Sequence, residues 1–210
     1  MTPLQIDWFL QLKKYRAIAV IRASDWQMGL KMAEIAIAGG LNLIEITWSS
    51  AEAGRLISYL REQYPDCKIG TGTILRSSEL KEAIASGAEF AFSPHSDPQF
   101  VQIAHNADIP MVLGAMTPTE IVNAWQYGSD GVKVFPIKSV GGAQFVKCLQ
   151  GPLRQIPLIP TGGVTLTNYR QFIEAGAIAV GLSSDLFPIE LQDTHNWSEL
   201  ITRIQKSYLA

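Results

Sequence analysis

The sequence predicts an α/β protein built as a (β/α)8 TIM barrel with an extra N-terminal helix. Eight short apolar runs rich in β-formers recur along the chain, their starts separated by 25, 26, 21, 21, 21, 26 and 21 residues. Each gap holds a segment with helical spacing of apolar residues, such as Met28, Met32, Ile35 and Ala36. The runs are nearly free of internal charge, as parallel strands are when helices cover both faces of the sheet.

Taken in order, an amphipathic helix over about Pro3 to Tyr15 comes first and is expected to cover the barrel bottom. The strands follow at Ile18 to Ile21, Leu43 to Thr47, Ile69 to Thr73, Phe90 to Ser93, Met111 to Gly114, Val132 to Phe135, Leu158 to Thr161 and Ala179 to Leu182. Several intervening helices close on a small residue plus glycine, at Ala38-Gly39-Gly40, Ser86-Gly87-Ala88, Tyr127-Gly128-Ser129 and Ala175-Gly176-Ala177. Glycine there takes the left-handed position that ends a helix. Eight similar units with no switch in spacing favour closure, and ~200 residues is the compact limit for a closed barrel. An open, doubly wound sheet is the alternative. With no linker and no low-complexity tract, residues 1–210 are expected to form one barrel domain.

Composition excludes several classes of function. At 47% hydrophobic and 17% charged, the chain has ample core and too little charge for disorder. Seventeen Lys and Arg against nineteen Asp and Glu leave a net charge of −2, so no basic field recruits nucleic acid or a membrane surface. The cluster Lys13, Lys14 and Arg16 reads as a solvated helix end. Cys67 and Cys148 have no Cys-x-x-Cys spacing, which argues against a disulfide framework or a cysteine zinc site. The N-terminus lacks the order of a signal peptide, and no uncharged run reaches the ~18 residues needed to span a bilayer. A cytoplasmic location is expected.

In such a barrel the reactive groups stand at the C-terminal ends of the strands. Two charges sit inside apolar runs: Glu45 in Leu43-Ile44-Glu45-Ile46-Thr47 and Lys133 in Gly131-Val132-Lys133-Val134-Phe135. Alternation sends Val132 and Val134 to the helices and aims Lys133 at the barrel axis, while Glu45 shares a face with Leu43 and Thr47. A buried ion pair between the second and sixth strands is one reading. Desolvating two charges costs several kcal/mol each, however, which makes chemistry the better reason for them. Among apolar groups an amine favours its neutral form, which can attack a ketone to give a Schiff base, and a nearby carboxylate can then move protons.

A second site is suggested by Pro160-Thr161-Gly162-Gly163-Val164 and Gly181-Leu182-Ser183-Ser184-Asp185, after the seventh and eighth strands. Loops there commonly hold phosphate through backbone N–H groups, and a short helix after the eighth strand would add its dipole. Gly70-Thr71-Gly72-Thr73 lacks the third glycine of a dinucleotide fingerprint, which argues against nicotinamide. His95, His105 and His195 share no metal-ligand spacing, so no metal is expected. His95, after Pro94, either faces the site or is a solvated loop residue. Ser93, Ser183 and Ser184 lack the Gly-x-Ser-x-Gly elbow of a serine hydrolase.

These motifs, together with Ser93-Pro94, Thr117-Pro118-Thr119-Glu120, Val132-Lys133-Val134-Phe135-Pro136 and Gly141-Gly142, run from about Ala17 to Phe187. In them the chain resembles the 2-keto-3-deoxy-6-phosphogluconate aldolases, which also act as 4-hydroxy-2-oxoglutarate aldolases. The resemblance implies a class I, cofactor-free and metal-free aldolase on a (β/α)8 barrel, usually a homotrimer. Lys133 then corresponds to the Schiff-base lysine and Glu45 to the proton-transferring carboxylate. Thr73 and Phe135 would line the pyruvate pocket with Pro94 beside it; Gly162, Gly163 and Ser184 would hold the 6-phosphate, with Ser183 an additional donor.

Three departures stand out. The arginine that many members place two residues after the Glu-x-Thr pattern is replaced by Ser49, and Arg22, ending the first strand, is the candidate to hold the keto-acid carboxylate instead. The run Gly181-Leu182-Ser183-Ser184-Asp185-Leu186 looks closer to the related 2-keto-3-deoxy-6-phosphogalactonate aldolases. His95 stands where the phosphogluconate branch commonly has glycine. Rival readings are an oxaloacetate decarboxylase using the same imine, a phosphosugar isomerase, or a silent phosphometabolite-binding barrel, which would have no need of Lys133.

Overall fold

Strands whose two faces are both apolar are stable only when every edge is paired and every face covered, and the chain meets both demands. The computed structural model describes residues 2–193 and 196–208, so His195 lies outside the described residues. Its elements run α1 (Pro3–Tyr15), β1 (Ala17–Ile21), α2 (Trp26–Ala38), β2 (Leu43–Thr47), α3 (Ala53–Gln63), β3 (Lys68–Gly72) and α4 (Ser77–Ala85). They continue with β4 (Ala91–Phe92), α5 (Pro98–His105), β5 (Met111–Ala115), α6 (Pro118–Gln126), β6 (Val132–Val134) and α7 (Gly142–Leu149). The last are β7 (Leu158–Pro160), α8 (Tyr169–Glu174), β8 (Val180–Leu182), α9 (Ile189–Asp193) and α10 (Trp197–Tyr208).

All strands pair in parallel, in the order β7-β6-β5-β4-β3-β2-β1-β8. A further parallel bridge between Thr161 and Gly181 joins the two ends of that order, so the sheet closes and the open-sheet alternative falls. The helix-ending glycines Gly40, Gly87, Gly128 and Gly176 all have positive φ, between 91° and 107°.

Alternation divides the core in two. Residues such as Ile44, Ile46, Val132 and Val134 pack outward against the helices. Ile18, Val20, Leu43, Phe90, Phe92, Val112, Ile159 and Ala179 fill the barrel together with Trp8, Phe9 and Leu12 of α1. Helix α1 starts with a capping box between Thr2 and Gln5 and a proline in its first turn, and Trp8, Phe9 and Leu12 form its buried stripe. The Trp8 ring lies 5.1 Å from that of Phe90 and 6.3 Å from that of Phe92, so the helix closes the N-terminal end as expected.

Bulk on one strand is matched by its absence on the next. A Cβ on Gly70 would sit 2.4 Å from the Phe90 ring, and one on Gly72 would sit 1.7 Å from Glu45 Oε1. Strand ends differ from the sequence reading. Thr73 leaves β3 with φ +58°. Strand β6 stops at Val134 because Pro136 offers no N–H to continue the ladder, and Phe135 is left 39% exposed.

Candidate active site

Strands β2 and β6 deliver the two interior charges. Glu45, paired with Val20 on one side and Gly70 on the other, is 1% exposed, and its Oε1 finds no hydrogen-bond partner. Burial pushes its carboxyl above the usual carboxylate range, while the positive charges of Lys133 and Arg22 act in the opposite direction. Lys133, paired with Gly114 and Ile159, is 5% exposed. Its Nζ lies 5.4 Å from the Phe135 ring centroid and 6.0 Å from that of Phe92. No ion pair joins it to Glu45 or to any other described carboxylate. Glu45 and Lys133 thus stand beyond direct ion-pair distance while their charges still act on one another, and Glu45 Oε1 is left without a hydrogen-bond partner.

The rest of the mouth is assembled by loops. Gly114 leaves room for the carbonyl of Pro94, whose carbon would lie 2.3 Å from a Cβ there. Gly114 N also donates to His95 O at 3.2 Å, and Ser96 Oγ to Gly114 O at 3.0 Å, fixing Pro94 beside β5. The His95 ring bonds Ser93 Oγ through Nδ1 at 3.0 Å and stands edge-on to Phe100 of the outer core, and the residue is exposed, as the solvated-loop reading had it. Arg22 spans the opposite wall: Nη1 donates to Ser49 Oγ and Nη2 to Thr73 Oγ1 at 3.2 Å. Thr47, Ser49 and Ser50 form a hydroxyl cluster beneath it, with Thr47 Oγ1 and Ser50 Oγ 3.0 Å apart.

Sequence reasoning missed three features here. Gly72 makes space for the Glu45 carboxylate, a role that strand alternation together with Gly70 could have suggested. Thr47 and Thr161, both buried, lie within the quoted motifs, but the sequence reading gave neither a role of its own. The two candidate phosphate loops, a single site on the sequence reading, open on different clefts. Ser183 and Ser184 line one with Arg22 and Phe187, whereas Gly163 lines another with Lys138, Gly141, Gly142, Thr165 and Asn168. Gly162 packs its backbone on the Phe135 ring. The short helix after β8 exists, but it begins at Ile189; Ser183–Leu186 form a turn closed by Leu186 N to Ser183 O at 2.9 Å. A further cleft lies at the other end of the barrel, lined by Lys14, Arg16 and Arg170 among others, and holds none of the candidate residues. Among the described residues no group of three or more His, Cys, Asp or Glu is gathered as a metal would need. No described helix is long and apolar enough to cross a membrane.

Comparison with known proteins gives a consistent result. A family model described as KDPG and KHG aldolase matches residues 10–204. A 2-dehydro-3-deoxy-phosphogluconate aldolase of Haemophilus influenzae is 31% identical over 190 residues, covering 90% of each chain. A KDPG aldolase from Legionella pneumophila, crystallised with pyruvate captured at low pH as a covalent carbinolamine intermediate, superposes with a TM-score of 0.86 at 27% identity, covering 95% of this chain and 97% of that one. A structure described as native KDPGal gives a TM-score of 0.82 at 27% identity over 91% of this chain and 93% of that one.

Proposed function

The chain belongs to the KDPG and KHG aldolase family, and from that membership we propose that it cleaves 2-keto-3-deoxy-6-phosphogluconate to pyruvate and glyceraldehyde 3-phosphate through an imine on Lys133. The observation that carries this reading is the Lys133 amine, buried without an ion-pair partner in the same barrel interior as the unpaired Oε1 of Glu45.

In the proposed cycle the Lys133 amine adds to the C2 carbonyl, and loss of water from the carbinolamine gives the iminium. Glu45 takes the C4 hydroxyl proton as the C3–C4 bond breaks; the bonding electrons move onto the iminium nitrogen and leave an enamine. Glyceraldehyde 3-phosphate departs, C3 takes up a proton, and water hydrolyses the imine to pyruvate and the free amine. A carboxyl whose proton affinity is raised by burial suits both directions of that transfer. Arg22 holds the substrate carboxylate, assisted by Thr73; Phe135 and Pro94 flank the pyruvate moiety. Gly162, Gly163, Ser183 and Ser184 hold the 6-phosphate through backbone N–H groups and hydroxyls. The chain acts without a cofactor, as one barrel domain in a cytoplasmic homotrimer, and also takes 4-hydroxy-2-oxoglutarate. The sequence Ser183-Ser184-Asp185 and the replacement of the expected arginine by Ser49 favour one second reading, the C4-epimeric 2-keto-3-deoxy-6-phosphogalactonate as substrate.

Borohydride reduction in the presence of pyruvate tests the proposal. A reduced pyruvyl adduct should map to Lys133 by mass spectrometry, with loss of turnover; Lys133→Met should fold, since it removes a buried charge, and take no adduct. Labelling at Lys138 instead, or loss of all activity in chelator, would overturn it.

A further inference from the structure

We propose that Asp185 is a positioning residue that sets the preference for phosphorylated substrates by holding the β7 and β8 loops at a fixed separation. This rests on the phosphate site proposed above. The Gly162–Gly163 turn has no side chains of its own, and both residues have positive φ, +89° and +91°, so something outside it must fix its place. Lys138 N donates to Gly162 O at 3.0 Å and holds the turn against the loop after β6; a second route of bonds leads to a carboxylate on the loop after β8. Gly163 O accepts from Asn168 Nδ2 at 3.3 Å. Asn168 Oδ1 accepts from Thr165 N at 2.8 Å, and Thr165 Oγ1 accepts from Asn168 N at 3.1 Å. The next amide, Leu166 N, donates to Asp185 Oδ2 at 2.8 Å.

The second carboxylate oxygen is also engaged. Asp185 Oδ1 accepts from Arg203 Nη2 of α10 at 2.9 Å, and Arg203 Nη1 donates to the Asp185 carbonyl. Asp185 comes directly after Ser184, so the residue that anchors the glycine loop also carries the serine loop, and α10 braces both. With side chains only 23% and 31% exposed, Asp185 and Arg203 form a pair partly shielded from screening. The two loops leave the barrel side by side at the Thr161–Gly181 bridge, and beyond it Asp185 ties them again, through Leu166 N on one side and Arg203 on the other.

The test compares a phosphorylated with a non-phosphorylated substrate. Asp185→Asn keeps an acceptor for Leu166 N but loses the charge facing Arg203, Asp185→Ala loses both, and Arg203→Met breaks the brace without altering either loop. KM for the 6-phosphorylated substrate should rise about tenfold in Asp185→Asn and Arg203→Met and more in Asp185→Ala, and inhibition by inorganic phosphate should weaken in parallel. The kcat and KM for 4-hydroxy-2-oxoglutarate, and pyruvate trapping at Lys133, should stay within about twofold. Equal losses on both substrates would mark Asp185 as merely structural, and retained phosphate preference in all three variants would overturn its role while leaving the phosphate site standing. A wild-type protein with neither phosphate preference nor phosphate inhibition would remove the site and the proposal together.

Discussion

At the scale of the residue, burial gives Glu45 its chemistry and makes it costly to keep. Its carboxyl is raised by desolvation, so the folded state binds the proton more tightly than the unfolded chain does. Stability is then full below the unfolded value of 4.5 and falls as pH rises toward the raised folded value. Glu45→Gln removes that loss: the variant should melt higher than the wild type at neutral pH, with the difference vanishing at acid pH in calorimetry. It should still form the pyruvate imine, yet lose ~100-fold or more in cleavage rate, the usual scale of general acid–base catalysis. Unchanged turnover would return Glu45 to a structural role. Arg22 is the complementary case. The sequence offered it as a substitute for an arginine absent at Ser49, and the structure joins the two positions by a hydrogen bond. The Arg22 side chain is exposed, and a keto acid bound across it would cover the guanidinium, so Arg22→Ala should weaken pyruvate and longer keto acids alike by about 2 kcal/mol, the lower end for truncating one partner of a covered charge pair. A shift no larger than the ~0–1 kcal/mol of an exposed pair would dismiss it as the carboxylate partner.

Elements were legible in proportion to their periodicity. Strand alternation correctly turned Lys133 inward and Val132 and Val134 outward, and the apolar spacing of α1 gave its bounds at Pro3 and Tyr15. Strand ends were not legible, since they are set by backbone constraints just beyond the apolar run: Pro136 stops β6, and the left-handed backbone of Thr73 ends β3. Loops were least legible of all. Gly162-Gly163 announces a tight turn but not which cleft it faces, and the Asp185–Arg203 bond connects residues 18 apart with no shared motif. Helix α1 allows a test of how far the two ends of the barrel are separable. Trp8→Ala should cost ~3–5 kcal/mol of stability, as truncation of a buried aromatic does, seen as a lower urea midpoint. Pyruvate trapping at Lys133 should persist at low temperature; its loss in the folded variant would show that α1 shapes the site as well as the core.

For the whole molecule, the spacing of the units favoured closure without requiring it, because both an open sheet and a barrel are built from the same β-α repeat. What decides is a pairing between residues far apart in the chain, Thr161 with Gly181, and single-sequence periodicity carries no such information. The C-terminal helix α10 then ties the closed barrel together, with Gln205 Nε2 on Ala38 O and Tyr208 OH on Tyr15 O. Closure also bears on how this molecule can vary over generations. A Cβ at Gly72 would overlap the Glu45 carboxylate where it now stands and push it aside. The two positions are therefore coupled: a change that fills position 72 displaces the acid from the place the proposed reaction needs.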